Sequence, residues 1–449
     1  MVMHEKSGGP GESRPIMSIP EGLVTMRTVA GSAEKTGTSL RDAAVFEAFS
    51  GKNVYIETYG CRHNFGDTAN LIEVLRHYGC FPVAAPEQAD AVIINTCTVV
   101  GPTERRMLRR LVQFRDKPLF VTGCMPMVQR EAVFAVCTPT VIPPAAIREA
   151  YRHVKTVSPS SVGIVQIAQG CRGSCTYCIT RKARGPLKSF PESEISEQVR
   201  AFIRAGAVEI QLTAQDVSSW GRDQGEYLPR LLATVNRLPG NYRIRVGMMN
   251  PATVIDILDD LLDAYAGDHI FRFFHLPVQS GSDPVLERMG RGYTVEDFER
   301  IVTAFRARYP GIGLSTDIIT GFPGETDDDF SRTLTLVERM RPNKVNVTRY
   351  SRRPFTGPVP RKDFPDAVKK DRSRLLRTCS ERVYSSINAQ YLGMTVPCVV
   401  TEKLRSGSVM ARTPTYQGVV IPQDLPPGFT CSVFLKKDRK YFFTGELAS

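Results

Sequence analysis

The stretch AQGCRGSCTYCITRKAR, residues 168–184, decides how the rest of the sequence is interpreted. It holds Cys171, Cys175 and Cys178 in a C-x3-C-x2-C run with small residues between the first two. Three cysteines within eight residues are improbable as core packing, and a zinc site would usually show a second cysteine pair or a histidine nearby. A four-iron cluster normally takes four cysteines, so three leave one iron open to a substrate.

The sequence around this loop alternates short apolar runs with helical patterns. The run GIVQIAQ at 163–169 directly precedes the cysteines, and further strands are predicted at 208–214, 242–248, 270–276, 312–319 and 344–350. Helices are predicted between most of them, at 191–204, 226–237, 294–308 and 327–340. Six such units predict an incomplete (β/α)6 barrel, in which the chemistry lies at the carboxyl ends of the strands.

A second α/β region precedes the barrel and carries its own cysteines. From residue 53, strands and helices alternate in the order typical of a parallel sheet. Cys61, Cys97 and Cys124 each follow one of its three predicted strands. Because ligands gather at that edge of a parallel sheet, we expect these thiols to converge on a second cluster with an open iron. The remaining cysteines are predicted to be packing residues: Cys80, Cys137, Cys379, Cys398 and Cys431.

The two ends of the chain differ from these regions. Residues 1–50 are rich in Gly, Ser, Pro and charges and are predicted to be disordered. Residues 361–383 form a basic helical stretch, and five β-like runs from 394 onward predict a small antiparallel barrel. That region, from 392, has seven Lys/Arg against four Asp/Glu, a net charge of +3, with interspersed aromatics that suit RNA contact: Tyr416, Phe429, Phe434, Tyr441, Phe442 and Phe443.

Composition limits the classes of function. The chain has 449 residues and a formal net charge of +12, which favours an anionic macromolecular partner. No stretch reaches the ~18 apolar residues of a membrane span, and no apolar signal segment opens the chain. Eleven cysteines in such a chain indicate a reducing compartment, so a cytoplasmic location is expected. The basic run Arg181, Lys182 and Arg184 beside the cysteine loop is either an RNA contact or a solvated face.

The loop at 168–184 resembles that of the radical S-adenosylmethionine (SAM) superfamily. The resemblance implies that SAM chelates the open iron, that electron transfer cleaves it to a 5′-deoxyadenosyl radical, and that Tyr177 covers the cofactor. At later strand ends, Gln215 and Asp216 are placed to bind the SAM ammonium group. Asp317 stands before a glycine-rich turn that can approach the adenosyl moiety closely.

Both cysteine triads, HLPVQSGS at 275–282, STDIITGFPGET at 315–326 and the terminal barrel together resemble the methylthiotransferase family. The resemblance runs over about 53–449 and implies a methylthiotransferase domain at 51–156, a radical SAM partial barrel at 157–391 and a TRAM-like RNA-binding domain at 392–449. The extension at 1–50 lies outside the family pattern. It also implies two [4Fe-4S] clusters and SAM as cofactors. One departure is SRRPFTG at 351–357, where Phe355 stands in the place of a family glycine.

Within the family, QGCRGSCTYCITRKARG and RVGMMNP look most like the branch that acts on N6-threonylcarbamoyladenosine at position 37 of tRNA. That resemblance implies a transferase that uses two SAM molecules, an electron donor such as ferredoxin or flavodoxin, and a sulfur source. A monomer without membrane contact is expected. Three alternatives stay open: N6-isopentenyladenosine of tRNA as the substrate, an aspartate of a ribosomal protein as the substrate, and a non-catalytic iron–sulfur protein that binds RNA.

Overall fold

A computed structural model describes residues 45–98, 101–354, 356, 362–404 and 407–448. The chain forms two compact units that divide between Ser158 and Pro159. No helix in these described ranges is long and apolar enough to cross a membrane. Phe355 and most of the predicted disordered extension lie outside the described residues.

The first unit is a five-stranded parallel sheet in the order β2-β1-β3-β4-β5 with helices on both faces. Alternate side chains of β1 and β3 pack against the two helical layers, so both faces of the sheet are buried. The elements are β1 (Asn53–Thr58), α1 (Arg62–His77), β2 (Phe81–Val83), β3 (Ala91–Thr96), α2 (Gly101–Gln113), β4 (Leu119–Gly123), α3 (Met125–Val128), α4 (Arg130–Phe134), β5 (Thr140–Val141) and α5 (Pro144–Val154).

The start of this unit corrects the predicted boundary of the extension. Phe46 and Phe49 are fully buried and belong to the same core cluster as Val54 and Leu71. Residues 45–50 are therefore part of the folded unit, and the sequence pattern missed them because two apolar residues are too few to show periodicity.

The second unit begins with six parallel strands that follow one another in chain order. β6, β9 and β10 form one ladder, β11, β12 and β13 form another, and isolated bridges from Ile244 to Ile270 and from Met248 to His275 join the two. The parallel strands are β6 (Val162–Gln166), β9 (Glu209–Thr213), β10 (Arg243–Val246), β11 (Phe273–His275), β12 (Gly313–Thr320) and β13 (Lys344–Arg349). Between β6 and β9, the short strands β7 (Ala168–Gln169) and β8 (Lys188–Ser189) form a separate antiparallel pair. This order confirms the predicted partial barrel.

The helices of this unit cover the strands. They are α6 (Thr180–Arg184), α7 (Glu192–Arg204), α8 (Leu228–Asn236), α9 (Pro251–Val254), α10 (Leu258–Ala264), α11 (Asp283–Met289), α12 (Val295–Arg308), α13 (Asp327–Met340) and α14 (Asp366–Asn388). Thr294 with Asp297 and Thr326 with Asp329 form capping boxes that fix where α12 and α13 begin.

The carboxyl-terminal part is a closed five-stranded barrel, as expected, with one difference in strand direction. Its order is β14-β15-β16-β18-β17, and β16 pairs with β18 in parallel. The wholly antiparallel barrel was wrong, because strands that alternate in direction cannot close a ring of five. Its strands are β14 (Thr395–Lys403), β15 (Val409–Arg412), β16 (Gly418–Ile421), β17 (Thr430–Asp438) and β18 (Phe442–Leu447).

Candidate active site

The three-cysteine loop begins at a sharp turn after β7. Gly170 has φ +79°, and a Cβ at this position would lie 1.9 Å from the carbonyl oxygen of Pro186, so the turn requires glycine. The Gly170 amide donates a 2.6 Å hydrogen bond to Oε1 of Gln215, which follows β9. The end of a neighbouring strand therefore fixes the position at which Cys171 enters the loop.

A second attachment holds the middle of the loop. The Thr176 amide donates to the carbonyl oxygen of Met289 at 3.0 Å, and the Thr176 hydroxyl donates to that of Arg288 at 2.9 Å. These are the last residues of α11, whose unpaired carbonyl groups are thereby satisfied. The loop is thus held between the end of β9 and the end of α11.

The cysteine sulfurs share a small space. A Cβ on Gly173 would lie 3.3 Å from Sγ of Cys171 and 3.7 Å from Sγ of Cys175, so both sulfurs border the same glycine. The Gly173 amide donates to Cys171 Sγ at 3.2 Å, and Nη1 of Arg291 donates to Cys175 Sγ at 3.2 Å. Two of the three sulfurs therefore already accept hydrogen bonds from donors that stabilise a thiolate.

Burial acts in the opposite direction on these thiols. Burial raises the pKa of Cys171 to about 11, and the nearby Asp216, Cys178 and Cys175 raise it further against the opposing effect of the Gly173 amide. Burial also raises the pKa of Cys178, with Cys175 adding to the rise and Thr180 opposing it. Three thiolates at this place need a positively charged partner, which is what a metal cluster provides.

Arg291 is a site residue that the sequence analysis missed. Besides Cys175, its guanidinium contacts Tyr177 Oη at 3.4 Å, Tyr293 Oη at 3.0 Å and Asn250 Oδ1 at 3.2 Å. Burial lowers the pKa of Arg291, but the neighbouring tyrosines and Cys175 outweigh this, so the pKa lies well above its ordinary value. The guanidinium is a fixed positive charge beside the cysteine loop.

Tyr177 and Asp317 lie on one side of the barrel. Tyr177 meets Phe322 edge-on at 6.3 Å and packs in the same cluster as Ile319, which shares the Asp317 face of β12. Asp317 Oδ1 accepts hydrogen bonds from Nε2 of His275 at 2.8 Å and from Nδ2 of Asn346 at 2.6 Å. Burial raises the pKa of Asp317, but His275, Asn346 and Lys344 outweigh it, so the net shift is downward. The predicted residue therefore stays ionised.

The carboxylate of Asp216 already accepts hydrogen bonds from neighbouring residues of the protein. Its Oδ1 accepts from the Ser218 amide at 3.1 Å and the Ser218 hydroxyl at 2.6 Å, and its Oδ2 accepts from the Thr253 hydroxyl at 2.9 Å. The residue is 4% exposed, and burial raises its pKa despite these donors. These hydrogen bonds indicate that Asp216 orders the loop after β9. A contact of Asp216 with SAM stays a prediction.

The second set of cysteines surrounds one asparagine in the first unit. Asn64 Oδ1 lies 3.9 Å from both Cys61 Sγ and Cys124 Sγ. A Cβ on Gly60 would lie 3.0 Å from both Cys97 Sγ and Asn64 Nδ2, so the third sulfur borders the same side chain. The three predicted thiols therefore converge as expected.

Strand ends in register explain this convergence. Thr58 of β1 is paired with Asn95 of β3, and Thr96 of β3 is paired with Gly123 of β4, so the three strands end side by side. Asn64 is fixed because its Nδ2 donates to the carbonyl oxygens of Tyr59 and Thr96, each at 2.8 Å. The asparagine thus ties the ends of two strands together at the centre of the cysteines.

Both sets of residues fit an iron–sulfur cluster. Within the described ranges, no group of three His, Cys, Asp or Glu side chains is arranged to hold a single metal ion. A cluster distributes its thiolates over separate irons, so its ligands need not meet at one point. Two sulfurs around Gly173 with Cys178 close to both in the second unit, and three sulfurs around Asn64 in the first, match that requirement.

The basic run, the aromatics of the terminal barrel and the remaining cysteines differ from one another in exposure. Arg184 is 4% exposed, so it is not part of a solvated basic face, whereas Arg181 is exposed and lies 3.4 Å from the Gly173 carbonyl oxygen. In the terminal barrel Phe443 is core and Tyr416 is turned towards the larger barrel, while Phe429, Phe434 and Tyr441 are exposed. Of the five cysteines assigned to packing, Cys80, Cys379 and Cys398 are buried and the other two are half-buried.

Comparison with known families matches the two units separately. Residues 165–337 match the radical SAM superfamily, and residues 53–141 match a family described as uncharacterized protein family UPF0004. The first match runs from the end of β6 to α13, and the second includes Cys61, Cys97 and Cys124.

Curated relatives match over most of the chain. A protein of Pyrococcus horikoshii named "Probable threonylcarbamoyladenosine tRNA methylthiotransferase" is 41% identical over 82% of this chain and 93% of its own. One of Archaeoglobus fulgidus with the same name is 35% identical over 88% and 99%, respectively. The mouse "Threonylcarbamoyladenosine tRNA methylthiotransferase" is 31% identical over 89% of this chain and 74% of its own. A solved cobalamin-dependent SAM radical enzyme, OxsB, has a TM-score of 0.47 at 13% identity over 76% of this chain and 57% of that chain.

Proposed function

Since the chain belongs to the family of threonylcarbamoyladenosine tRNA methylthiotransferases, we propose that it transfers a methylthio group to C2 of N6-threonylcarbamoyladenosine at position 37 of tRNA. The proposal includes two SAM molecules and two [4Fe-4S] clusters. The observation that carries it is the pair of cysteine triads. Cys61, Cys97 and Cys124 gather around Asn64 at the ends of three parallel strands, and Cys171, Cys175 and Cys178 share one loop in which the first two sulfurs border the same glycine. A single triad would suit a radical enzyme of any kind, and the second triad supplies a place for sulfur.

The residues around the first triad have distinct roles in this proposal. Cys171, Cys175 and Cys178 would hold a cluster that supplies the electron for cleavage of SAM. Gln215 and Thr176 keep the loop in place through the hydrogen bonds to Gly170 and α11. Because the protein orients while the cofactor carries the chemistry, a rigid loop is the main contribution of the chain at this point.

The interior of the barrel offers complementary charges. Arg291 is a buried cation beside Cys175, and Asp317 is an ionised carboxylate on the face of β12 that lies towards Tyr177. A zwitterionic amino acid such as the methionine part of SAM requires both signs of charge. We assign Asp317 and Tyr177 to SAM binding, with Gln215 and Asp216 as the loop that borders it.

Cys61, Cys97 and Cys124 would hold the second cluster. Cys61 is exposed, while Cys97 and Cys124 are 5% and 6% exposed. One side of this site is thus open and the other is sealed by α1 and the strand ends. That arrangement suits a cluster that a substrate reaches from the open side while the protein holds it on the buried side.

The direct test is mass spectrometry of tRNA nucleosides. In a strain that lacks the gene, the methylthio derivative of threonylcarbamoyladenosine should be absent and should return with the wild-type chain. Cys178→Ala and Cys97→Ala should each fail to restore it. Cys431→Ala and Cys137→Ala serve as matched controls because each replaces a half-buried cysteine outside both triads, and both should restore the nucleoside.

The outcome distinguishes the substrates. Persistence of the methylthio-threonylcarbamoyl nucleoside without the gene contradicts the assignment. Loss of the methylthio-isopentenyl nucleoside instead would identify N6-isopentenyladenosine as the substrate. Unchanged tRNA nucleosides together with an altered ribosomal protein would identify the ribosomal aspartate as the substrate. Purified, reduced protein that releases no 5′-deoxyadenosine from SAM would indicate the non-catalytic RNA-binding alternative.

Several further expectations belong to the same proposal. They are a ferredoxin or flavodoxin as electron donor, a separate sulfur source, a monomeric state, a cytoplasmic location, and RNA binding by the carboxyl-terminal barrel as a TRAM-like domain. The net charge of +3 over residues 392–449 and the exposed Phe429, Phe434 and Tyr441 support the last of these.

A further inference from the structure

The basic stretch at 361–383 divides into two kinds of cation in the structure. Lys369 is buried and paired with Asp363 at 3.1 Å and Asp366 at 3.2 Å. Arg372 is buried and paired with Glu325 and Asp327, each at 2.7 Å. Arg372 holds α14 onto the barrel, because a buried charge in contact with barrel carboxylates is stable only while the helix stays in place. Both partners of Lys369 lie in its own helix or just before it, so that pair neutralises the cation within the helical segment.

The other cations of the helix line a groove. Lys370, Arg374 and Arg377 follow one another at helical spacings of four and three residues, so they share one face of α14. Together with Arg349, the last residue of β13, they border a groove of about 570 Å³. We name this the α14 groove; its lining is Arg349, Ala367, Lys370, Asp371, Ser373, Arg374 and Arg377.

The charges in the α14 groove are not balanced. Asp371 is its only acidic residue and lies 3.3 Å from Arg374, in a pair whose side chains are 64% and 73% exposed. Such an exposed pair neutralises little. Among the described residues Arg349, Lys370 and Arg377 form no ion pair, in contrast to Lys369 and Arg372. Three cations from two elements therefore face one concave surface without a carboxylate partner.

One end of the groove adjoins the edge of the barrel that carries the cysteine loop. Arg349 precedes Tyr350, which meets Phe322 edge-on at 5.2 Å, and Phe322 meets Tyr177 at 6.3 Å. Tyr177 is the neighbour of Cys178 in the loop. A short series of packed aromatic rings therefore leads from the groove to the candidate active site.

The other end reaches the carboxyl-terminal barrel. Lys440 Nζ lies 3.1 Å from Glu381 of α14, and Tyr441 meets Tyr384 of α14 edge-on at 5.9 Å. Arg377 is close enough to oppose, with Lys440, the rise in the pKa of Tyr441 that burial and Glu381 cause. From Ala367 in the groove to Tyr384 at the terminal barrel, α14 rises by about 26 Å.

We propose that the α14 groove binds the phosphate backbone of an RNA along a path from the cysteine loop to the exposed Tyr441 of the terminal barrel. Guanidinium and ammonium groups at regular spacing bind successive phosphates, whereas an aromatic ring at the end of the path can stack on a base. That this RNA is a tRNA rests on the proposed function. The groove positions the RNA and reads no sequence, because phosphate contacts carry no base information.

The test is the salt dependence of RNA binding by the full-length chain, measured by fluorescence anisotropy with labelled tRNA. Lys370→Gln, Arg374→Gln and Arg377→Gln are combined in one variant that keeps much of the side-chain length. Loss of three phosphate contacts should reduce the slope of log K against log salt by about 2, and affinity near physiological salt should fall at least about tenfold.

Two further variants make the result specific. Lys370→Arg with Arg374→Lys and Arg377→Lys keeps the charges and should keep the wild-type slope. Arg200→Gln with Arg204→Gln and Arg237→Gln removes three exposed cations on and beside α7 and α8, and should change the slope much less. Circular dichroism and the thermal midpoint verify that all variants fold.

The outcomes separate this inference from the proposed function. An unchanged slope in the groove variant, or an equal loss in the α7 and α8 variant, overturns the groove. A groove-dependent slope in a chain that makes no methylthio nucleoside supports the groove and contradicts the proposed function. A normal nucleoside product with an unchanged slope in the groove variant supports the proposed function and overturns the groove. A groove that binds an acidic protein would also leave the RNA slope unchanged and so overturns the inference.

Discussion

Arg291 is positioned to set the reduction potential of a cluster at the three-cysteine loop. Its guanidinium donates to Cys175 Sγ and is held in place by Asn250 and Tyr293. A positive charge and a hydrogen bond at a ligand sulfur stabilise the reduced cluster, which carries one more electron. We expect Arg291→Gln to lower the potential by on the order of 50 mV for a one-electron couple.

A redox titration followed by electron paramagnetic resonance measures this change. It is done in a background with Cys61→Ala, Cys97→Ala and Cys124→Ala, so that only one cluster contributes. Arg291→Lys keeps the charge and should recover part of the potential, whereas a merely structural role would predict equal effects of Lys and Gln. Identical potentials in all three proteins would contradict the role of Arg291.

Asp317 should contribute a pH-dependent part of the stability of the barrel. The pKa of its carboxyl lies below the ordinary value, so its contribution is fully present above about pH 4 and is lost as the pH falls through the folded-state pKa. We expect Asp317→Asn to lower the free energy of unfolding at pH 7 by about 2 kcal/mol, because it weakens two hydrogen bonds to a charged group.

Urea unfolding of wild type and variant at pH 7, 5 and 3 checks the sign. The difference between the two midpoints should shrink between pH 5 and pH 3. A difference that grows between pH 5 and pH 3 would show that the carboxyl of Asp317 is destabilised by ionisation, contrary to its contacts with His275 and Asn346.

The six cysteines of the two triads were predictable from the sequence, whereas the residues that contact their sulfurs were not. Local spacing reveals Cys171, Cys175 and Cys178, and the position after a strand reveals Cys61, Cys97 and Cys124. Arg291 stands 116 residues from Cys175, and no local pattern connects them. Asn64 had a weak signal, because it is three residues after Cys61 in the first turn of α1 and so lies on the same helix face.

At the level of elements, the hairpin between β15 and β16 joins the terminal barrel to the larger one. Tyr416 at its tip donates a 2.6 Å hydrogen bond to Glu209, the fully buried first residue of β9. Its ring lies 4.9 Å from Phe271 and 5.1 Å from Phe273. We expect Tyr416→Phe to destabilise the attachment of the barrel by about 2 kcal/mol, because a buried carboxyl loses one of its donors.

Limited proteolysis and calorimetry measure the effect. The variant should release a fragment of the terminal barrel earlier than wild type and should show a lower or separate transition for it. Tyr441→Phe is the matched control, since that ring is 45% exposed and should change neither observation. Equal behaviour of the two variants would mean that the hydroxyl of Tyr416 contributes nothing to the attachment.

The elements of the larger barrel follow the sequence closely for a physical reason. The strand predicted at 312–319 is Gly313–Thr320, and the helix predicted at 327–340 has those bounds, because a capping box at Thr326 marks where it begins. The short edge strands Phe81–Val83 and Thr140–Val141 had no signal of their own. They form because a neighbouring strand offers free hydrogen-bonding groups, which is a property of the sheet and not of their residues.

Across the whole molecule, a set of three cysteines occurs once in each unit. In the first unit each cysteine follows a different strand of the parallel sheet, whereas in the second unit all three lie in one loop after β7. Among the described residues, Gly60 and Asn64 of the first unit border Cys61, Cys97 and Cys124. Gly173 and Arg291 of the second unit border Cys171 and Cys175. The two sites should therefore assemble independently of one another.

Iron content tests this independence. Reconstituted wild type should bind about eight irons, and a variant with Cys61→Ala, Cys97→Ala and Cys124→Ala should keep about four, because three thiolates suffice for one four-iron cluster. The corresponding triple variant of Cys171, Cys175 and Cys178 should also keep about four. The retained cluster should give the same paramagnetic signal as in wild type after reduction. Loss of all iron in either variant would mean that the clusters depend on each other, and full iron in the first variant would remove the first unit from the chemistry.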